Sequence, residues 1–394
     1  MMMLWQVERY PYFPLHDRPL IRWPNGARVA FWVAPNIEFY ELEPPSNQGR
    51  MIWPRPNPDI LSYGQRDYGN RVGVWRVLEA LDRFNIRASV PLNAAMIDHL
   101  PDVVEVCLRQ KWELMSHGVY NTRVISQMTE DEVRELIRDS IQTISEFSGS
   151  PVRGWLAPAI STTETFLDLL PEFGITYTID VVPDDQPVPV FSKGGQLIAV
   201  PYSTEINDIR VMGFRGSPPS DWADMMKSAF DQLYLEGAEN GMVVCMPLHP
   251  YVVGQPHRIS ALYDVLRHVT GHKDVWFATA GEIAEWYYQH NYDHALKISA
   301  QQCDKDMLGR FDYPLRRLGL DHQWFKFRAL PTIQKLKWPQ GSVAVCLCVP
   351  VEYFPLDSHA PAVRPLGGLD RGYPDFWSYS NRDYGMRLGI YRIM

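Results

Sequence analysis

The clearest internal signal in the chain is the stretch WPNGARVAFWVAPNIE, residues 23–38, which recurs in related form as WPQGSVAVCLCVPVE at residues 338–352. Each copy opens with a Trp-Pro-x-Gly turn, continues through apolar, β-branched and aromatic residues, and ends on a carboxylate. This pattern predicts a buried strand with an acid at its C-terminal end. In alternating β/α proteins the functional residues collect where parallel strands end, so Glu38 is the first candidate.

The composition is that of a globular protein. Of 394 residues, 46% are hydrophobic and 21% are charged. The length suits one large α/β domain together with a smaller second unit. A net charge of -8 without a basic cluster argues against nucleic acid and favours a small-molecule substrate. No run approaches a membrane-spanning length and no signal-peptide pattern opens the chain, so we expect a cytoplasmic protein without a membrane partner. A homo-oligomer is compatible with this composition.

The five cysteines predict reduced core residues, because most of them lie within apolar runs. Cys346 and Cys348 share one face of a predicted strand, but no second pair completes a zinc site.

Strand and helix patterns alternate through the first 290 residues. Apolar residues at helical spacing predict a helix within residues 62–84, and Thr129 with Glu132 forms a capping box before another helix. Further strands are predicted at residues 87–92, 112–116, 152–157, 175–180, 196–200, 242–248 and 275–278. About eight strands separated by helices predict an α/β protein whose parallel sheet is closed, or nearly closed, into a barrel.

A second copy of the N-terminal sequence pattern begins near residue 296. The sequence RDYG at residues 66–69 returns at residues 382–385, an offset of roughly 315 residues that indicates a duplicated domain. We therefore divide the chain into a complete domain, residues 1–295, and the start of a second, incomplete repeat, residues 296–394. Either the chain is a fragment of a longer two-domain protein, which we favour, or the half-copy packs on a partner.

Candidate site residues follow five of the predicted strands, at the ends where the loops of α/β proteins carry function. They are Glu38, His117 with Asn121, Pro158, Asp180 with Asp184 and Asp185, and His249. Any one of them is equally well explained as a cap or a surface residue. Five such groups at one rim of one barrel predict a site.

Each candidate has chemical alternatives. His249 could protonate a leaving nitrogen, since the ordinary pKa of imidazole is close to neutral. His117 and Asn121 face the same way if the segment after the strand forms a helical turn. Because asparagine is a poor zinc ligand, this pair alone is weak evidence for a bound metal. Glu38 could bind a metal, act as a base on water or orient a substrate amide. Asp184 and Asp185 suit a turn as well as a catalytic role.

Residues 5–290 resemble the polysaccharide deacetylase (NodB-homology) family, in particular its allantoinase-like and cyclic-imide-hydrolase-like branch. The resemblance is carried by WPNGARVAFWVAPNIE, RDYGNRVGVWRVLEALDRFNIRASVPLN, SHGVYN, RGWLAP, DVVPDDQP and LHPYVVGQPHRI. It implies a distorted (β/α) barrel, usually of seven strands, that hydrolyses carbon-nitrogen bonds other than peptide bonds. It also implies a zinc-like divalent metal held by one aspartate and two histidines, an aspartate base, a histidine acid and no organic cofactor.

The resemblance assigns His249 as the acid and His117 as the first histidine of a His-x-x-x-His motif. Asn36 and Glu38 replace the family's paired aspartates, and Asn121 replaces its second metal histidine. Leu156 replaces the arginine of its Arg-x-Pro motif. The expected site comprises catalytic His249, Glu38 and Asp180, metal-binding His117, Asn121 and Glu38, and substrate-binding Asn36, Trp155, Pro158, Asp184 and Asp185.

Two functions are consistent with these residues. The first is a hydrolase of a small linear or cyclic amide or an N-acetylated sugar. The second is a catalytically degenerate member of the fold that binds a carbohydrate or another small molecule. The substituted motifs favour the second function, whereas the retained histidines and acids at the strand ends favour the first.

Overall fold

The computed structural model describes residues 9–11, 13, 18–43 and 58–303. Residues 304–394, which hold nearly all of the predicted second repeat, lie outside the described residues. The last described helix, Tyr292–Cys303, runs across the predicted domain boundary at residue 295. The repeat and its boundary therefore stay predictions.

Nine strands are present in the described part of the chain. They are β1 (Val29–Pro35), β2 (Ser89–Leu92), β3 (Glu113–Ser116), β4 (Gly154–Trp155), β5 (Tyr177–Thr178), β6 (Val188–Ser192), β7 (Gly195–Ala199), β8 (Met242–Leu248) and β9 (Val275–Phe277). The strand β6 was missed from sequence, although the turn residues Gly194 and Gly195 between two apolar runs are typical of a hairpin.

The strands form two hydrogen-bonded sheets. One has the order β8-β1-β9, and the other has the order β2-β3-β4-β5-β7-β6. All pairings are parallel except the β6–β7 hairpin. A bridge between Ile37 and Leu92 joins the two sheets. The predicted α/β class is confirmed, but the ladders of the described strands do not make one closed ring, so barrel closure stays a prediction.

Helices follow most of the strands. They are α1 (Ile60–Tyr68), α2 (Val74–Arg83), α3 (Ala95–His99), α4 (Pro101–Arg109), α5 (Glu130–Ser148), α6 (Glu164–Leu169), α7 (Pro219–Glu236), α8 (Pro250–Val253), α9 (Ile259–Thr270), α10 (Ala280–His290) and α11 (Tyr292–Cys303). Thr129 and Glu132 form the predicted capping box of α5. No helix within the described ranges combines the length and apolarity needed to cross a membrane.

β1 is buried on both faces, as is usual for a parallel strand covered by helices. Its alternate side chains enter two separate apolar clusters, with Phe31 in one and Trp32 in the other. The indole of Trp32 donates to the backbone oxygen of Pro201 at 3.2 Å, and that of Trp23 donates to Met242 at 2.9 Å. The tryptophans of the opening stretch thus connect it to the start of β8 and to the segment that follows β7.

Two glycines of the RDYGNRVG segment allow close packing on α8. They lie one turn apart in the π-helical turn Gly69–Gly73. A Cβ on Gly69 would lie 2.5 Å from the backbone nitrogen of Tyr251, and one on Gly73 would overlap the carbonyl oxygen of Pro250. Because α8 begins directly after His249, this contact holds the segment that carries His249.

We expect Gly73→Ala to lower the free energy of unfolding by about 1–3 kcal/mol, because the added methyl group has no room beside Pro250. Gly64→Ala is the matched control, since a Cβ there meets no atom within 4 Å. That control should raise the free energy of unfolding by about 0.5–1 kcal/mol, as alanine is the better helix former. Urea unfolding measures both, and equal values for the two variants would contradict the packing.

Candidate active site

Three strand ends bring Glu38, His117 and His249 together. Glu38 lies beyond the end of β1, His117 directly follows β3, and His249 directly follows β8. The Nε2 atom of each imidazole lies 3.5 Å from Oε1 of Glu38. The three side chains are only 5%, 2% and 7% exposed, in that order. The candidate site is therefore a buried carboxylate between two imidazoles.

Asp208, which the sequence did not single out, holds His249 from the far side. One carboxylate oxygen accepts the backbone N–H of His249 at 2.8 Å, and the other lies 2.7 Å from its Nδ1. A carboxylate can only accept, so Nδ1 carries a hydrogen and Nε2 is the atom that faces Glu38. Asp208 is fully buried and lies 41 residues before His249, so no spacing pattern marks it.

The charge state of His249 differs from the near-neutral pKa expected from sequence. Burial lowers the pKa of His249, but the carboxylates of Asp208 and Glu38 outweigh it and raise the pKa from 6.5 to about 10. Near neutral pH the ring is therefore an imidazolium. Its proton is available to a leaving group across the whole physiological range.

Glu38 has a second set of partners on its other oxygen. The hydroxyl of Tyr40 donates to Oε2 at 2.5 Å, and Nδ2 of Asn121 donates to the Tyr40 oxygen at 2.7 Å. Burial raises the pKa of Glu38, but the charges and hydrogen bonds of His249 and His117 hold that pKa well below its usual value. Glu38 is therefore ionised at neutral pH.

Helix α1 and the π-helical turn after it supply two more residues near Glu38. Arg66 places its guanidinium carbon 4.4 Å from the centre of the Tyr40 ring, and Nδ2 of Asn70 donates to the backbone oxygen of Glu38 at 2.7 Å. Both were missed as site residues, although a spacing of four residues on a helix indicates a shared face. Burial raises the pKa values of Tyr40 and Tyr251, so both hydroxyls stay protonated and can donate.

Asp180 acts on His117 through one peptide group. Its Oδ1 accepts the N–H of Ala157 at 2.8 Å, and the carbonyl of Leu156, in the same peptide group, lies 2.8 Å from Nδ1 of His117. Nδ1 of His117 thus carries a hydrogen, which leaves Nε2 towards Glu38. Burial raises the pKa of Asp180 to about 6. These contacts place Asp180 where it can position His117, and the catalytic role expected from sequence stays a prediction.

Two of the expected substrate-binding residues, Trp155 and Asp184, are buried. Trp155 is fully buried and packs on Phe166, with ring centres 5.5 Å apart. Asp184 forms an ion pair with Arg18 at 2.5 Å, and both side chains are 2% exposed. Trp155 lies within β4 and Asp184 lies beyond β5. The assignment of both residues to substrate binding stays a prediction.

The remaining expected residues lie at the strand ends. Nδ2 of Asn36 donates to the backbone oxygen of Leu248 and to the Tyr202 hydroxyl. Pro158 is buried against Gly118, next to His117. Asp185 contributes its backbone oxygen to the N–H of Val243, where β8 begins.

Two amide oxygens near the cluster are buried without a hydrogen-bond partner among the described residues. They are Oδ1 of Asn36 and Oδ1 of Asn121. An unpaired buried acceptor costs about 1–3 kcal/mol, so such atoms are rare unless a ligand uses them. Both are therefore candidate acceptors for substrate N–H groups.

The parallel α/β fold places an acid and two imidazoles at its strand ends, an arrangement that suits acid–base chemistry. The polysaccharide deacetylase family model matches residues 64–178. This match and the relatives described next show that the chain is similar to the polysaccharide deacetylase (NodB-homology) family, a family of deacetylase-like hydrolases.

Its relatives agree with this assignment. The chain is 28% identical over 302 residues to a Schizosaccharomyces pombe protein named "Putative polysaccharide deacetylase", covering 68% of this chain and 93% of that one. The structure of Puue allantoinase has a TM-score of 0.63 at 27% identity, covering 70% of this chain and 95% of the other. A probable polysaccharide deacetylase from Pseudomonas aeruginosa PAO1 has the same TM-score and identity, covering 70% and 96%.

The donors at the site do not fit the metal centre that this family implies. That centre uses an aspartate and two histidines, whereas Asn121 stands at the second histidine and directs its Nδ2 to Tyr40. His117 and Glu38 supply only two possible metal ligands. Asp208 stabilises the protonated form of His249, which has no free lone pair for a metal. Asparagine is a poor zinc ligand. The metal assignment to His117, Asn121 and Glu38 stays a prediction, and the steps proposed below do not use it.

The raised pKa of His249 predicts how stability depends on pH. The folded-state pKa exceeds the ordinary value of 6.5, so the stabilisation by His249 is complete below that pH and is lost as pH rises through about 10. Asp208→Asn removes one of the two carboxylates that raise the folded-state pKa, so the loss should be smaller and should be complete at a lower pH. Urea unfolding at a series of pH values and NMR titration of the His249 ring measure both effects.

Asp102→Asn is the control, because Asp102 is exposed on α4. It should leave the His249 titration unchanged. The same titration curve in Asp208→Asn and in the wild type would show that Asp208 does not set the charge of His249.

Proposed function

We propose that the chain hydrolyses a carbon-nitrogen bond, other than a peptide bond, in a small linear or cyclic amide. The observation that supports this most strongly is the buried Glu38 carboxylate between the Nε2 atoms of His117 and His249. The family supplies the reaction class, and the similarity to an allantoinase favours an amide ring. The slight exposure of all three side chains favours a small substrate over a polymer such as an N-acetylated sugar chain.

Glu38 receives the proton of the attacking water. Without substrate it is a weak base, because His249 and His117 hold its pKa well below the usual value. A substrate that enters between Glu38 and His249 lengthens their contact and weakens this effect. The pKa of Glu38 then rises towards its usual range, and the carboxylate becomes a stronger base at the moment when water must be activated.

Tyr251 and Asn121 stabilise the oxyanion that forms when water adds to the carbonyl. The hydroxyls of Tyr251 and Tyr40 are 3.3 Å apart, which is long for an O–H···O hydrogen bond. The Tyr251 hydroxyl can therefore turn to a substrate oxygen at small cost. Asn121 gives Tyr40 one N–H and keeps a second one for the same oxygen.

His249 then protonates the departing nitrogen through Nε2–H, and the C–N bond breaks. Its pKa of about 10 keeps that proton in place at neutral pH until a basic nitrogen leaves. Asp208 stabilises the imidazolium before transfer and fixes the ring through Nδ1. The unpaired Oδ1 atoms of Asn36 and Asn121 accept substrate N–H groups and so favour an amide or imide.

One observation favours the second candidate, a degenerate protein that binds a small molecule without turnover. Each charged group of the cluster already has a partner of opposite charge, and the cluster is almost closed to solvent. An ion-pair cluster of this kind also occurs as a purely structural feature.

Glu38→Gln and His249→Ala should each lower kcat by about 10²–10⁴-fold, the usual contribution of one general acid or base. Purified protein is assayed on allantoin, small cyclic imides and acetylated sugar oligomers, with and without chelator. Glu79→Gln is the matched control, since Glu79 lies on the exposed face of α2, and it should keep the wild-type rate.

Each other result has a defined meaning. Wild-type turnover by His249→Ala would remove the proposed acid. Turnover that is lost with chelator and restored by zinc would replace these steps with metal chemistry. Binding of an amide without turnover by the wild type would favour the degenerate protein.

A further inference from the structure

A second cluster of histidines and a carboxylate lies on the outer helices. Asp231 is on α7, His268 is on α9, and His272 follows the end of α9. One ligand atom from each residue lies within 4.8 Å of the other two. Within residues 9–11, 13, 18–43 and 58–303, no other three His, Cys, Asp or Glu residues meet this condition.

The separations suit a transition-metal ion. Nε2 of His268 lies 2.7 Å from Oδ1 of Asp231, and Nε2 of His272 lies 3.9 Å from the same oxygen. In a tetrahedral site with bonds of about 2.0–2.1 Å, neighbouring ligand atoms are roughly 3.3 Å apart. The two separations from Asp231 lie on either side of this value, and the ligand atoms of the two histidines lie within 4.8 Å of each other. Side-chain rotations of this size can bring all three atoms to one ion.

The ring of His272 is held in the orientation that a ligand needs. Its Nδ1 lies 2.9 Å from the backbone oxygen of His268, which can only accept, so Nδ1 carries the hydrogen. The lone pair is then on Nε2, which faces Asp231. Phe230 and Tyr234 pack edge-on against the ring at 5.0 and 5.1 Å. Metal-binding histidines are commonly fixed by this kind of bond on the second nitrogen.

The helical geometry places both imidazoles on one face. His268 and His272 are four residues apart, and Gly271 between them keeps a right-handed helical conformation. Both imidazoles are 29% exposed and Asp231 is 52% exposed, so water can supply a fourth ligand. Lys227, one turn before Asp231, is bound by Asp224 and Asp264.

We propose that Asp231, His268 and His272 form a surface site for a zinc-class transition-metal ion. Two imidazoles and one carboxylate favour such an ion over magnesium or calcium, which prefer oxygen ligands. The bound ion joins the C-terminal end of α7 to that of α9. This end of α7 lies against Arg28, before β1 begins, whereas Glu38 lies beyond the end of β1. The site is thus at the opposite end of the strand from Glu38.

Zinc ion alone is the probe. The purified full chain is stripped with chelator and then titrated with zinc by calorimetry, and Tm is measured with and without the ion. We expect binding and a rise in Tm, because a ligand that binds only the folded state stabilises it. His272→Ala and Asp231→Ala should weaken this binding by at least about tenfold and abolish the rise in Tm.

Two controls separate this site from other ligands. His257→Ala removes another exposed histidine, and Glu38→Gln alters the candidate active site. Both should keep the zinc binding and the Tm rise. Loss of binding only in Glu38→Gln, equal binding by His272→Ala and wild type, or no binding by the wild type would each overturn the proposal. Circular dichroism verifies that every variant is folded. We expect the Asp231 and His272 variants to fold, because both side chains are partly exposed.

Discussion

The ionised carboxylate of Glu38 is the constraint on which the site depends, because burying such a charge costs several kcal/mol unless opposite charges and hydrogen bonds offset it. His117, His249 and Tyr40 supply these partners. Two of them come from other strands, so the sheet must align the ends of β1, β3 and β8. The parallel pairing of β1 with β8 along seven residues fixes the position of Glu38 relative to His249.

A second set of residues holds the partners of the Glu38 carboxylate in place. Asp208 orients His249 through two hydrogen bonds. Asp180 fixes the peptide group that orients His117. The glycine-rich turn after α1 packs against the segment that begins with His249. Geometry at the carboxylate is therefore set by backbone groups and buried acids, which move less than exposed side chains.

Much of the fold could be predicted from the chain because its signals are local. Strand β1, the helix with its capping box at Thr129 and the alternation of strands and helices all follow from spacing within a few residues. Glu38, His117 and His249 were found because each directly follows an apolar run. Asp208 was missed since its contact with His249 spans 41 residues and no local pattern marks it. The burial of Trp155 could not be predicted, because a strand end alone does not show which side chains point into the core.

The sequence by itself determined the α/β class and the polar residues that follow its strands, since hydrophobic periodicity is a property of neighbouring residues. Only the tertiary structure decided which of those residues meet and what charge they carry. The pKa of His249 depends on Asp208 and Glu38, which are distant in the chain and adjacent in space. Electrostatic energies fall with distance and rise with burial, and both quantities exist only once the chain is folded.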